Sequence, residues 1–292
     1  MPPPPPEGTQ WPGLGSFSGR KSFRQLLSEA IAELSLTGYV SEDRVAYWID
    51  TLRRAADAEL GSERAVDTET RERLNAVFER LIDRGKIGTY VPGVSRLDIS
   101  MIRPNLRAEL DRRIVASADL IKLHRREAVE RTLQRFQGWS TAIPPGGDGT
   151  IDKRETRASI GKSVAQFRFE KRRVDIDQSH KLIANISDIV ATDQGAIAGI
   201  WHDHGEHDRS YDARKQHMGR AGKVYAVRDS WAIRQGLMTK GAGYMDEMTK
   251  PGQEISCGCW YEWIMSPRRL PDSMLTRKGQ EWIEAGRMRM AA

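Results

Sequence analysis

The chain has 292 residues, 46 basic against 40 acidic for a formal charge of +6, with 39% hydrophobic and 29% charged residues. That is enough apolar material for one large domain or two modest ones, while the mild, interleaved charge of stretches such as RRAADAELGSERAVDTETRER does not single out a dedicated nucleic-acid binder. No run of about 18 apolar residues occurs, so no membrane-spanning segment is expected, and two cysteines, Cys257 and Cys259, speak against a secreted disulfide scaffold and for folding in a reducing cytoplasm.

Residues 1–21, MPPPPPEGTQWPGLGSFSGRK, lack the apolar core of a secretory signal and read as a flexible Pro/Gly-rich arm, since proline fixes φ and removes a backbone donor. Residues 22–139 read as a helical domain. Phe23, Leu26, Leu27, Ala30, Ile31 and Leu34 fall at spacings of three and four and give one apolar stripe. Ser41 is placed to cap a second helix, with Glu42 and Asp43 in its positive first turn. A third helix is predicted through TETRERLNAVFERLIDRG, ending at Gly85. KIGTYVPGVSRLDIS reads as a loop or short strand, and Pro104 fits the first turn of the long helical stretch that follows, which one or two helices would account for.

STAIPPGGDGT, residues 140–150, has the prolines and glycines of a hinge. From 151 the pattern is helical again as far as Gly195 or Gly199. Short apolar islands such as KVYAV and WYEWIM then suit short strands among ordered loops up to residue 264. Residues 265–292 end in a stretch that suits an amphipathic tail helix. The expected class is α+β: a mostly helical N-terminal part, then a helix leading into a compact C-terminal unit with short strands.

The chemistry-bearing residues crowd into that unit. WHDHGEHDRSYDARKQHMGRAGKVY holds four histidines, His202, His204, His207 and His217, upstream of Cys257 and Cys259. Thiolate and imidazole are zinc ligands, and His217 is the natural partner for the cysteines. In an extended strand a Cys-x-Cys pair points its side chains to one face about 7 Å apart, so sharing an ion requires a bend, expected at Gly258. A ββα-type nuclease would use the HDH segment to activate water around Mg²⁺, but no histidine follows His217 and no asparagine follows Asn185. The third reading is packing alone, with histidines and aspartates capping turns and the cysteines serving as small apolar residues beside Trp260 and Tyr261. A Cys257–Cys259 disulfide would be short and strained. No nucleophile elbow, P-loop or dinucleotide fingerprint is present.

The order of the blocks carries a resemblance. VDIDQSHKLIAN sets Asp177, Gln178, Lys181 and Leu182 in the pattern of an IARDQTxKLN helix, and Gly199, Ile200 and Trp201 follow as a G-I and a tryptophan. Asp208, Arg214, His217 and Gly222 fit a D-x-R-V-R-x-x-H-x-x-x-x-G segment, and Pro251, Gly252, Cys257 and Cys259 fit a closing PG and CRC. From Arg173 to Cys259 the chain thus resembles the phage Mu protein F-like minor head family, in less than a third of its length. It departs from that pattern in having Gly258 where the family favours arginine, and an insertion before Arg214.

The resemblance implies a head morphogenesis domain over residues 151–264 and a non-enzymatic minor head protein of the virion. Such a protein would be made in the host cytoplasm and held in low copy at the portal vertex. Its implied partners are the portal protein, other head proteins, neighbouring copies of itself and packaged DNA, with no membrane. No cofactor is implied; a structural zinc at His217, Cys257 and Cys259 and a metal-free packing that ties them to Asp208 and Arg214 both stay open. Two rivals remain: a metal-dependent DNA-processing enzyme acting through His202 and His204, and an assembly factor absent from finished particles.

Overall fold

The structure is a computed structural model that describes residues 21–203 and 213–291. Helix α1 (Phe23–Thr37) opens on a capping box, in which the Ser22 hydroxyl accepts from the Gln25 amide while the Gln25 side chain accepts from the Ser22 amide. Helix α2 (Glu42–Glu59) is capped by Ser41, with Glu42 and Asp43 in its first turn, and α3 (Glu63–Leu81) by Ser62. The segment expected as a loop or strand contains a single 3-10 turn, Lys86–Thr89.

Helix α4 (Arg96–Ala142) then runs unbroken for 47 residues and α5 (Lys153–Asp193) for 41. Pro104 therefore lies inside α4 and not in its first turn. The start is set earlier, where the Ser95 hydroxyl accepts from the Asp98 amide at 3.1 Å and the Asp98 carboxylate accepts from the Ser95 amide at 3.2 Å.

The division of the chain differs from consecutive segments. One unit takes the described residues to Leu60 together with Ala128–Ala165; the other takes Gly61–Glu127 and the described residues from Gln166 onward. Helices α4 and α5 contribute to both, so each folding unit is assembled from separated stretches of sequence.

Residues 140–150 are accordingly not a hinge between domains but the turn of a helical hairpin inside the first unit. The Gly146 amide donates to Thr37 O at 3.2 Å and the Asp148 amide to Ser35 O at 2.9 Å, which fastens the loop to the end of α1. Gly147, at φ 83°, lies so close to the Ser35 and Leu36 backbone that a side chain there has no room. The core of this unit joins Leu27, Ile31 and Leu34 to Trp48, Leu52, Phe136 and Val164, which confirms the apolar stripe read along α1.

The second unit carries a three-stranded antiparallel sheet in the order β2-β1-β3, built from β1 (Ala198–His202), β2 (Val224–Ala226) and β3 (Trp260–Ile264). Register pairs Gly199 with Tyr225 and Trp263, and Trp201 with Tyr261. The period of two sorts the side chains. Trp201, Tyr225, Tyr261 and Trp263 face a core with Leu106 and Leu110 of α4 and Leu182, Ile186 and Val190 of α5. Ala198, Val224, Ala226 and Ile264 face a second core with Leu237 and Met274.

Short helices α6 (Ala213–Met218) and α7 (Trp231–Arg234) stand in the connections, and α8 (Arg277–Ala291) ends the described chain. The fold is α+β, about 67% helical. Among the described residues no helix is long and apolar enough to cross a membrane.

Candidate functional site: the buried Cys-Gly-Cys centre

The loop before β3 brings the two cysteines to the edge of the aromatic core. It turns at Pro251–Gly252 and again at Ser256, whose φ of 59° is the one left-handed non-glycine conformation among the described residues. The bend expected at Gly258 thus falls one residue before Cys257. The Cys257 amide donates to Glu254 O at 3.3 Å, closing that turn.

Helix α5 holds the loop from the other side. The Asp177 carboxylate accepts from the Ser256 amide at 2.7 Å, pairs with Lys181 Nζ at 2.9 Å and accepts from Gln178 Nε2 at 3.1 Å. Gln178 Oε1 in turn accepts from Arg113 and from the Ser117 hydroxyl, both at 3.2 Å, tying this cluster to α4. Both Asp177 and Gln178 are buried, so each polar group there depends on a protein partner. Gly252, at φ 78°, packs against α5 so tightly that a Cβ would stand 2.8 Å from the Ala184 Cβ.

His217, near the end of α6, completes the centre. Its Nδ1 lies 3.7 Å from Cys257 Sγ and 3.6 Å from Cys259 Sγ. The three donor atoms fall within 4.8 Å of one another and could hold a metal ion. The other ring nitrogen, Nε2, sits 3.3 Å from Glu254 Oε2, off the line of a hydrogen bond, and neither atom has a hydrogen-bond partner among the described residues. The Gly252 amide donates to Cys257 Sγ at 3.3 Å, and Cys259 Sγ lies 3.8 Å from Asp203 Oδ1 at the end of β1.

The two sulfurs titrate as a pair. A hydrogen bond from Cys259 draws the Cys257 thiol down to about 6, against burial and with help from the Gly252 amide and His217. The same hydrogen bond, reinforced by burial and by Asp203, pushes Cys259 up.

Trp201 roofs the centre. Its ring meets His217 at 5.3 Å and Tyr261 at 5.4 Å, both edge-on, with the Arg220 guanidinium 5.1 Å above it. The Gly222 amide donates to Trp201 O at 2.8 Å and the Trp201 amide to Lys223 O at 2.9 Å, closing the turn between α6 and β2.

The structure thus gathers Asp177, Gln178, Lys181, Trp201, His217, Gly222, Pro251, Gly252, Cys257 and Cys259 around one place. Asp208 and the side chain of Arg214 lie outside the described residues, as do His204 and His207. His202 belongs elsewhere: its ring stacks on Trp260 at 4.1 Å and its Nε2 lies 3.1 Å from Glu262 Oε2, across the β1–β3 pair. Sequence reasoning passed over Asp203, Glu254 and Ser256. Asp203 stood in view between two histidines, and Glu254 stands three residues before Cys257.

No protein-family model, curated protein or solved structure matches the chain. What the centre does must be argued from its own chemistry.

Proposed function

We propose that the chain is a phage minor head protein: a non-enzymatic, low-copy component of the virion at the portal vertex. On this reading its partners are the portal protein, other head proteins, neighbouring copies and packaged DNA, and it acts in head assembly or the handling of that DNA. The observation that supports the reading is convergence. The blocks behind the resemblance are scattered from Asp177 to Cys259 in sequence, yet their described members, apart from Ile200 on the opposite face of the sheet, lie around a single centre with packing, turn-forming or hydrogen-bonding parts there. Blocks that matched by chance would have no reason to meet.

Burial supports the non-enzymatic part of the reading. Cys257, Cys259 and His217 are 4%, 6% and 5% exposed, and a centre so enclosed suits holding a fold together better than admitting a substrate.

The test is quantitative mass spectrometry of gradient-purified particles, with this protein normalised to the portal subunit. Presence at no more than the portal's copy number is the expected result. Absence from particles, with abundance in the infected lysate, would overturn it in favour of an assembly factor. Metal-dependent cutting of plasmid DNA, lost on changing His202, would overturn it in favour of an enzyme.

A further inference from the structure

We propose that Cys257 Sγ, Cys259 Sγ and His217 Nδ1 bind one zinc ion, with the Asp203 carboxylate turning in as the fourth ligand, and that the ion locks β1, α6 and the loop before β3 together. This goes beyond the proposed function and does not depend on it.

The spacing is that of ligands around a common ion. Tetrahedral zinc with bonds of ~2.3 Å to sulfur and ~2.0 Å to nitrogen holds those atoms ~3.5 Å apart. The observed sulfur-to-nitrogen separations are 3.7 and 3.6 Å. Hydrogen bonding alone serves this geometry poorly, because one imidazole nitrogen faces two sulfurs and can make one good bond along its lone-pair direction. A cation at the centre satisfies all three donors at once.

The surroundings are those of a metal-bound histidine. A ligating imidazole usually turns its second nitrogen to a carboxylate or carbonyl, which fixes the tautomer and leaves the first lone pair for the metal. Glu254 Oε2, 3.3 Å from His217 Nε2, is that carboxylate. Both atoms are buried and neither makes a well-directed hydrogen bond among the described residues, a costly arrangement that a small turn of the ring toward a metal on its other side would relieve by aligning Nε2 with the carboxylate. The Gly252 amide, 3.3 Å from Cys257 Sγ, donates to a sulfur that must be a thiolate to coordinate.

The fourth donor has to come from beside the three. Asp203 Oδ1 is 3.8 Å from Cys259 Sγ but stands outside the group of three whose donor atoms lie within 4.8 Å of one another, so its side chain must turn inward to complete the tetrahedron. Two sulfurs, one nitrogen and one oxygen make a donor set for zinc and not for magnesium or calcium, which require oxygen ligands.

On binding, each sulfur forms a bond to zinc and any proton it carries passes to solvent; no electron is transferred. The ligands come from three separated stretches, so the ion acts on the folded unit as a cross-link does.

The test uses the full-length chain purified without chelator. Elemental analysis should find one zinc per chain. Replacement by Co²⁺ should give the visible bands of a tetrahedral site together with near-ultraviolet thiolate-to-cobalt charge transfer. Cys257→Ser and Cys259→Ser should each lower that charge transfer, and Glu254→Gln should keep the spectrum while weakening the metal about 10–100-fold. If the serine variants do not fold, the cobalt titration of the parent chain decides alone.

A folded, metal-free parent whose thiols are both free, and which gives no charge-transfer band with Co²⁺, overturns the proposal. So does a parent recovered with a Cys257–Cys259 disulfide. A zinc protein absent from virions, or a virion protein without zinc, would separate this inference from the proposed function.

Discussion

Replacing Gly252 by alanine tests how closely α5 and the cysteine loop are joined. At φ 78° the residue lies in the left-handed region, which costs an alanine about 1–2 kcal/mol. The added methyl would also stand 2.8 Å from the Ala184 Cβ and 3.6 Å from the Lys181 Cα, well inside the ~3.5–4.0 Å of an ordinary carbon contact at the first of these. Relief requires the loop to move off a helix, a strain of about 1–3 kcal/mol. The expected loss is therefore about 3 kcal/mol, a large share of the ~5–15 kcal/mol that holds a domain folded.

Urea unfolding followed by tryptophan fluorescence reads it, since Trp201 and Trp263 lie in the same core cluster. Ala184→Gly on the Gly252→Ala background separates the two causes: it removes the methyl contact but leaves φ untouched, at its own helix-propensity cost of about 1 kcal/mol. A coupling of about 1–3 kcal/mol between the two changes is expected. A Gly252→Ala protein within about 0.5 kcal/mol of its parent, or a coupling of zero, would refute the close packing.

The neighbouring residues give further expectations. Asp177→Asn keeps the shape but sets an amide against the largely buried Lys181 ammonium 2.9 Å away. The loss should be about 3 kcal/mol, largely recovered by adding Lys181→Met; an unaffected melt would show that the Asp177–Lys181 pair does not hold this corner of the centre. Ser256→Gly should stabilise the chain by about 0.5 kcal/mol, because glycine adopts φ 59° without the side-chain penalty, and a loss would show that the serine has a role beyond its backbone. Asp175 is pushed up by burial, only partly offset by Arg73 and Lys171. Its raised folded pKa means that its contribution is favourable below the ordinary aspartate range and is lost as pH rises through the folded value. Asp175→Asn should therefore cost nothing at neutral pH and flatten the stability profile between those two points; destabilisation at pH 7 would mean that its ion pair with Arg73, at 3.1 Å, outweighs the burial.

The parts of this fold that were legible in the sequence are those where one residue's neighbours in the chain decide its state. The stripe of Phe23, Leu27, Ile31 and Leu34 and the capping serine at 41 report helices because helix geometry is local. Pro104 misled for the same reason. A proline is tolerated in a first turn, but here Ser95 and Asp98 had already capped the helix further back. The hinge at 140–150 misled because composition shows that a chain turns and not what it turns against; amides donating to Ser35 and Thr37 make it part of a packed hairpin.

The centre divides along the same line. His217, Cys257 and Cys259 stand out by residue type, so sequence alone proposes them. Glu254 and Asp203 are ordinary acids until β1 and the loop before β3 set one beside the imidazole and the other beside a sulfur. The bend was expected at Gly258, between the two cysteines; the left-handed conformation that turns the loop is taken before them, at Ser256. Ser256 takes it because Asp177, on a helix 79 residues away in the chain, holds its amide at 2.7 Å. A strained turn at a serine is thus sustained by a long-range hydrogen bond, and the geometry of the cysteine pair is in that sense a property of α5 as much as of the loop that contains it.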